Sequence, residues 1–505
     1  MGSAMEFSFG WPPLLAIGPI WLATPPPNEG MPAPRTVQAS PLRTGRGFRR
    51  ELSLAGRGLP APPSTDHRCA ARLRRFCWVE AAREGADIER RALMRGWVAK
   101  LTLEPLDPVR DAKLYQPLRA VESALEPVFS EVELAVDRTA QLVTGPRGSG
   151  KSTELLRLKK RFEEIGYQVA YIDLLAYVNR STSVDIIEIL IALALGVADV
   201  SDRAEAPSGE STQWRARFQD WFNRLVDSTS ASLQIGPARA GFDLASLLRE
   251  SPDFLTRLRQ QLAFHIPRLH AEVDEFIRSV ADDRVVPGGP GFVVIVDSLE
   301  KLRGTTSNNA DVQASVERLF VHHGALLRFD AFHAIYTVPV HLKFTNPGAL
   351  GLFNGSVRMV PILKVHDQNG ADLEETIAEL VELVGRRIKS ELLLGDPELL
   401  RKIILASGGH IRDLLRIVRE VINLAFGRRS SLPAEPSIVD QAIAQIARDL
   451  SQLSAEDADF LRLVARSRGT LKPSEEQIPR LARLLDQHLL LVHSNTDSGF
   501  ALLAR

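Results

Sequence analysis

Residues 145–153 run Gly145-Pro146-Arg147-Gly148-Ser149-Gly150-Lys151-Ser152-Thr153, the spacing G-x-x-x-x-G-K-[ST] of a phosphate-binding loop. Its glycines let the backbone curl so that successive N–H groups face one phosphate, and a helix starting at the loop's end adds the positive end of its dipole. In that setting Lys151 reaches the β and γ phosphates of a nucleoside triphosphate, and the Ser152 hydroxyl takes a place on Mg²⁺. Both flanks agree. Gln141–Thr144 is an apolar run suited to a strand, and Glu154–Phe162 carries a helical pattern.

A second constellation lies at Phe292–Leu302, Phe-Val-Val-Ile-Val-Asp-Ser-Leu-Glu-Lys-Leu. Five apolar, mostly β-branched residues in succession suit a strand buried on both faces of a parallel sheet. An acid at the carboxyl end of such a strand stands at the ligand-binding edge. Asp297 is therefore the candidate to hold Mg²⁺, and Glu300 the candidate to orient or activate an attacking water. Glu300 also suits the first turn of a helix for dipole reasons alone. Phe332–Pro339 is a further buried run. Thr337 at its end either touches the γ-phosphate or attacking water, or satisfies local backbone.

The elements that must position these groups follow from periodicity. Leu118, Val121, Leu125 and Val128 form a helical stripe ahead of the first strand, and Tyr115 precedes it. Strands are expected at 168–174 and 357–365. Apolar periodicity marks helices near 183–199, 212–227 and 243–282. These belong to an insertion at about 180–288, expected over or beside the nucleotide edge. Ile186–Ala198 is strongly apolar but short for a membrane span, and is expected to be a core helix. Helices at 371–393 and 396–405 lead to Ser407-Gly408-Gly409-His410-Ile411-Arg412-Asp413, which opens another at Leu414–Phe426. Arg412 in its first turn is the candidate to reach the phosphates. The tail ends in alternating Leu489–Ser494, a turn, and Phe500–Leu503, which with the preceding helical patterns implies a winged helix.

Composition narrows the partners. The chain has 505 residues, 45% apolar and 25% charged, with 62 basic and 62 acidic side chains. No global field draws it to nucleic acid or an anionic membrane, and the charges of residues 456–505 nearly cancel. The only cysteines are Cys69 and Cys77, without metal-site spacing, which fits a reducing cytoplasm. Residues 1–95 are proline- and arginine-rich and lack lysine. They are expected to be disordered or a non-native extension beginning in a vector-like scar, with Met94 a candidate natural start. The expected division continues with an ATPase core at 96–365, a helical lid at 366–432 and a winged-helix-like domain at 433–505.

From about residue 105 onward, this order of motifs resembles bacterial P-loop ATPases of the AAA+/STAND type. Asp297-Ser298-Leu299-Glu300 is similar to the STAND form of the second acidic motif, since AAA+ proteins usually place Glu where Ser298 stands. Gly409-His410-Ile411-Arg412-Asp413 is more similar to the sensor helix of origin-recognition initiators. The resemblance implies an α/β P-loop fold with helical insertion, lid and winged helix, and ATP bound with Mg²⁺ between core and lid. It implies hydrolysis through Glu300, with Thr337 and Arg412 sensing the γ-phosphate. It also implies a homo-oligomer in which a neighbour supplies an arginine, for which Arg318 and Arg358 are candidates. GTP is disfavoured because no Asn-Lys-x-Asp motif is present. The expected function is a regulatory switch ATPase that assembles with an unidentified protein partner, with no membrane attachment. A DNA-associated ATPase of the loader or initiator kind and a non-catalytic nucleotide-binding scaffold are the alternatives.

Overall fold

A computed structural model describes residues 87–203, 213–227, 243–285, 287–305, 307–345, 349–354, 357–367, 369–428, 431–450, 453–467, 474–495 and 499–504. Five strands make one parallel sheet: β1 (Ala140–Thr144), β2 (Gln168–Asp173), β3 (Phe292–Asp297), β4 (His333–Val338) and β5 (Arg358–Met359). Their order is β2-β3-β4-β1-β5. The strand ending in Thr337-Val338 thus lies between the phosphate-loop strand and the strand ending in Asp297. All three carboxyl ends meet at one edge.

Alternation along the strands explains the continuous apolar runs. Val294, Val296, Ala334 and Tyr336 face one hydrophobic core, while Val293, Ile295, Ile335 and Val143 face a second. Both faces are covered, so neither set of positions has reason to be polar.

The second core is closed by helices from both ends of the chain. They are α1 (87–100), α2 (Arg119–Glu133), α3 (Lys151–Glu164) and the lid helices described below. The expected boundary at residue 95 falls inside α1. Met94 and Trp97 are buried in this core, and Arg90 donates to Ala425 O, so apolar burial fixes this segment. The rest of the stretch expected to be disordered, up to residue 86, lies outside the described residues.

The first core is closed by the insertion: α4 (Ile186–Arg203), α5 (Trp214–Asp227), α6 (Leu244–Glu250), α7 (Pro252–Leu262) and α8 (Ile266–Arg284). These helices pack on a sheet face, and none of their residues lines the cavity described below. The cause is α4, which buries fifteen residues; a helix apolar on all sides must be enclosed. The single helical pattern over 243–282 breaks at Ser251-Pro252, where Ser251 caps α7. No helix among the described residues is long and apolar enough to cross a membrane.

After α9 (Asn309–Val321) and the short α10 (Leu342–Thr345) comes β5. Of the strand expected at 357–365, only Arg358 and Met359 join the ladder with β1. Beyond it, Ile362 N donates to Val492 O. The lid contains α11 (Glu374–Gly385), α12 (Ser390–Leu394), α13 (Pro397–Ser407), α14 (Ile411–Gly427) and α15 (Pro436–Leu450). The expected lid boundary at 432 is too early, because Ile438, Val439, Ala442 and Ile446 of α15 share the lid's core. The C-terminal module is α16 (Ala455–Ser467), α17 (Ile478–Asp486) and the antiparallel hairpin β6 (Leu490–Asn495) and β7 (Gly499–Ala504). Its own small core includes Met359, which seats it on the strand edge.

Candidate functional site

The phosphate loop joins β1 to α3 and forms the floor of a cavity of ≈ 500 Å³. Gly148 and Gly150 have φ of 88° and 93°, backbone that a side chain strains. At Gly148 space is decisive too: an added Cβ would stand 2.7 Å from Arg412 Cβ and 2.9 Å from the His410 ring. Residues 145–153 all line this cavity or the narrower cleft beside it.

Lys151, at the first turn of α3, forms an ion pair with Glu300, and both side chains are buried. Glu300 Oε2 and Ser149 Oγ have no hydrogen-bond partner among the described residues. The strand-end turn makes the pairing with Glu300. Ser298 takes a left-handed φ of 81°, and the tight turn Leu299–Lys301 then brings Glu300 toward the loop. Thr337, fully buried at the end of β4, also leaves its Oγ1 without a partner among the described residues.

Asp297 collects more contacts than its motif announces. Tyr171 OH donates to Oδ2 at 2.6 Å, Ser298 N donates to Oδ1 at 2.7 Å, and Lys301 Nζ lies 3.8 Å from Oδ2. Burial alone would lift this carboxyl. Lys151, Lys301, Ser152 and Tyr171 together hold it below the usual carboxylate range. Burial and the Asp297 charge push the Tyr171 phenol up, so it remains a donor.

The lid closes the other side. His410 caps α14, taking the Asp413 N–H on Nδ1 at 3.3 Å, with Nε2 2.7 Å from Arg147 O. Arg412 lines the cavity, but its guanidinium donates to Leu103 O at 3.3 Å. The expected phosphate sensor is thus tied to the segment before α2. Thr153 Oγ1 accepts from Leu106 N at 3.1 Å, which holds the same segment against the loop. Tyr115 lines the cavity and donates to Glu154 Oε1 at 2.9 Å.

The two candidate neighbour-supplied arginines differ. Arg318 is exposed on α9. Arg358 is paired with Glu131 of its own chain, because β5 passes beside α2.

Several residues at this edge escaped the motif search. The turn after α17 places Asp486 2.7 Å from Arg303, beside a cleft shared with Arg147, Arg180, Gly145 and Pro146. Burial and the charges of Arg412, Arg303 and Arg180 pull the Arg147 guanidinium down. Two residues further, His488 Nδ1 lies 3.6 Å from Asp413 Oδ2, and the His410 and His488 rings are 4.2 Å apart. Tyr171 could not have been found from spacing: it pairs with Ile295 on the neighbouring strand, and only its long side chain reaches on to Asp297. His410 carried a usable signal, a polar cap immediately before a helical run.

No family model matches the chain, and no curated protein does. Solved structures similar to it include Cdc6p from Pyrobaculum aerophilum, at 13% identity over 80% of this chain and 93% of that one, with a TM-score of 0.35. Orc1 from Aeropyrum pernix in complex with DNA is similar at 14% identity over 81% and 92%, with a TM-score of 0.30. A single-residue variant of Thermotoga maritima RuvB is similar at 11% identity over 79% and 96%, with a TM-score of 0.32. These superpositions are weak, and the fold rests on the chain's own sheet order and loop. Five parallel strands with a glycine-rich phosphate loop after β1 and acids ending β3 give this chain the α/β fold of a P-loop NTPase.

Proposed function

We propose that the chain is an ATPase of the AAA+ kind, binding ATP in the cavity between core and lid and hydrolysing it to ADP and phosphate. The observation that supports this most directly is the convergence of Lys151, Asp297, Glu300 and Thr337 at one sheet edge, with unpartnered oxygens on Glu300 and Thr337 among the described residues. Ser152 and Asp297 suit Mg²⁺, being a hydroxyl at the start of the phosphate-loop helix and a carboxylate at the end of β3; the ion would neutralise phosphate charge. Lys151 exchanges Glu300 for the β and γ phosphates. Glu300, released, accepts a hydrogen bond from the attacking water and orients it. Thr337 donates to that water or to the γ-phosphate. Arg412 approaches the phosphates only by leaving Leu103 O.

Two readings concern what the ATPase acts on. The helix–helix–hairpin order of the C-terminal module is that of a winged helix and supports a DNA-associated machine of the loader or initiator kind. The pairing of Arg462, Arg480 and Arg483 with Asp459, Glu456 and Asp457 supports a switch that assembles with a protein, since a DNA-reading face would offer unpaired cations. The test is steady-state ATP hydrolysis with and without duplex DNA over a salt series, beside Lys151→Ala. DNA-stimulated turnover that fades with salt supports the first reading. Turnover indifferent to DNA supports the second. Turnover equal to that of Lys151→Ala refutes the ATPase.

A further inference from the structure

Two side chains that line the cavity are incompletely satisfied. Arg387 follows α11, lines the cavity and is only 5% exposed. Its NH1 donates to Leu383 O of α11, its Nε has no partner, and no acid pairs with it among the described residues. Burial and the neighbouring Arg386 pull it down to about 10. A buried, unpaired guanidinium costs free energy unless a ligand supplies an acceptor.

Gln116, on the segment before α2, lines the same cavity. Its amide Nε2 donates to Glu382 Oε2 at 3.1 Å. Glu382 offers only acceptors, so the amide cannot be turned over without setting oxygen against oxygen. Gln116 Oε1 is therefore held on the other side, buried and without a partner among the described residues. Leu118, Val121, Leu383 and Leu415 line the same cavity. The two residues line one largely apolar cavity wall, and one carries an unmatched donor, the other an unmatched acceptor.

We propose that Arg387 and Gln116 read the nucleobase: Arg387 donates to a ring nitrogen of adenine, and Gln116 accepts from its exocyclic amino group. The assignment rests on the ATPase reading above and adds its base specificity. Adenine presents an amino donor beside a ring-nitrogen acceptor, at N6 with N7 and at N6 with N1. Guanine puts the O6 acceptor where adenine has its amino group, which would face the Gln116 oxygen. Leaving a buried polar group unmatched is what lets such a site reject the wrong base.

The test uses the full chain and equilibrium displacement of a fluorescent ATP analogue by ATP and by GTP, beside thermal melting without nucleotide. Wild type should prefer ATP by about tenfold or more. R387M should bind ATP about tenfold more weakly and bring the ATP-to-GTP ratio toward unity, with a ligand-free Tm equal to or above wild type because a buried unpaired cation has been removed. Should R387M not fold, Q116L gives the second arm, with ATP binding weakened and GTP binding spared. ATP binding that is lost in Lys151→Ala but unchanged in R387M overturns the base-reading assignment alone, whereas a wild-type preference for GTP overturns it together with the choice of ATP as substrate. Wild-type binding of neither nucleotide overturns the ATPase reading together with it.

Discussion

Lys151 and Glu300 neutralise each other, so a nucleotide phosphate on Lys151 must part them. The ion pair therefore opposes ATP binding while keeping both groups placed for it. Replacing Glu300 with Gln weakens that competition and removes the carboxylate that orients water. Glu300→Gln should bind ATP as tightly as wild type or several-fold more tightly, and turn over about 10²-fold more slowly or worse. Calorimetric ATP titration and a phosphate-release assay read the two effects separately. Weakened binding would mean that Glu300 serves the loop rather than the water. Thr337 allows a second separation. Its hydroxyl is buried without a partner among the described residues, so near-isosteric Thr337→Val should leave unfolding free energy unchanged or raise it by about 1 kcal/mol. Turnover should fall about tenfold. A loss of stability at unchanged turnover would make Thr337 an ordinary core residue.

At the scale of elements, the strands and the loop were legible because their signals are local. Phe292–Val296 is apolar throughout since both faces are covered, and the loop's chemistry is compressed into nine residues. What was not legible depends on contacts between distant segments. Met94 and Trp97 look like any apolar pair in a poor region until they meet the lid core. The insertion was assigned to the nucleotide edge because nothing in α4 says which apolar surface it covers. The turn Asp486-Gln487-His488 is the clearest such case. It reaches Arg303 beside Glu300 and also Asp413 on the lid, though about 180 residues separate it from the acidic motif. Asp486→Ala should leave Arg303 unpaired and loosen the module's docking. Amide hydrogen exchange over residues 478–495 should then quicken several-fold, with β3 and β4 unchanged. Equal protection in both proteins would show that the remaining contacts, among them Met359 and the Ile362 N–Val492 O bond, hold the module without Asp486.

The whole molecule carries a feature that no single element shows. His333 in the central sheet, His341 after β4, and His488 and His493 in the C-terminal module are all buried. Burial drives each down to about 4. Nearby cations act in the same direction, Arg138 at His333 and Lys364 at His493. At His488, Asp413 opposes the shift without overcoming burial. An unfolded histidine titrates near 6.5, so between that pH and about 4 the unfolded chain binds protons that the folded chain refuses. Stability is accordingly full above about pH 6.5 and falls as pH drops toward 4. Each histidine contributes on the order of 1–3 kcal/mol to that loss, a large share of the roughly 5–15 kcal/mol typical of folded domains. Carboxylates such as Asp297, held low in the fold, add their own loss only below about pH 4, so the two groups separate along the pH axis. Urea midpoints at fixed ionic strength should therefore decline steadily from pH 7 to pH 4.5 with unchanged denaturant slope. A flat profile there, followed by collapse below pH 4, would mean that these histidines accept protons without unfolding, and that local opening around them is cheaper than their burial implies.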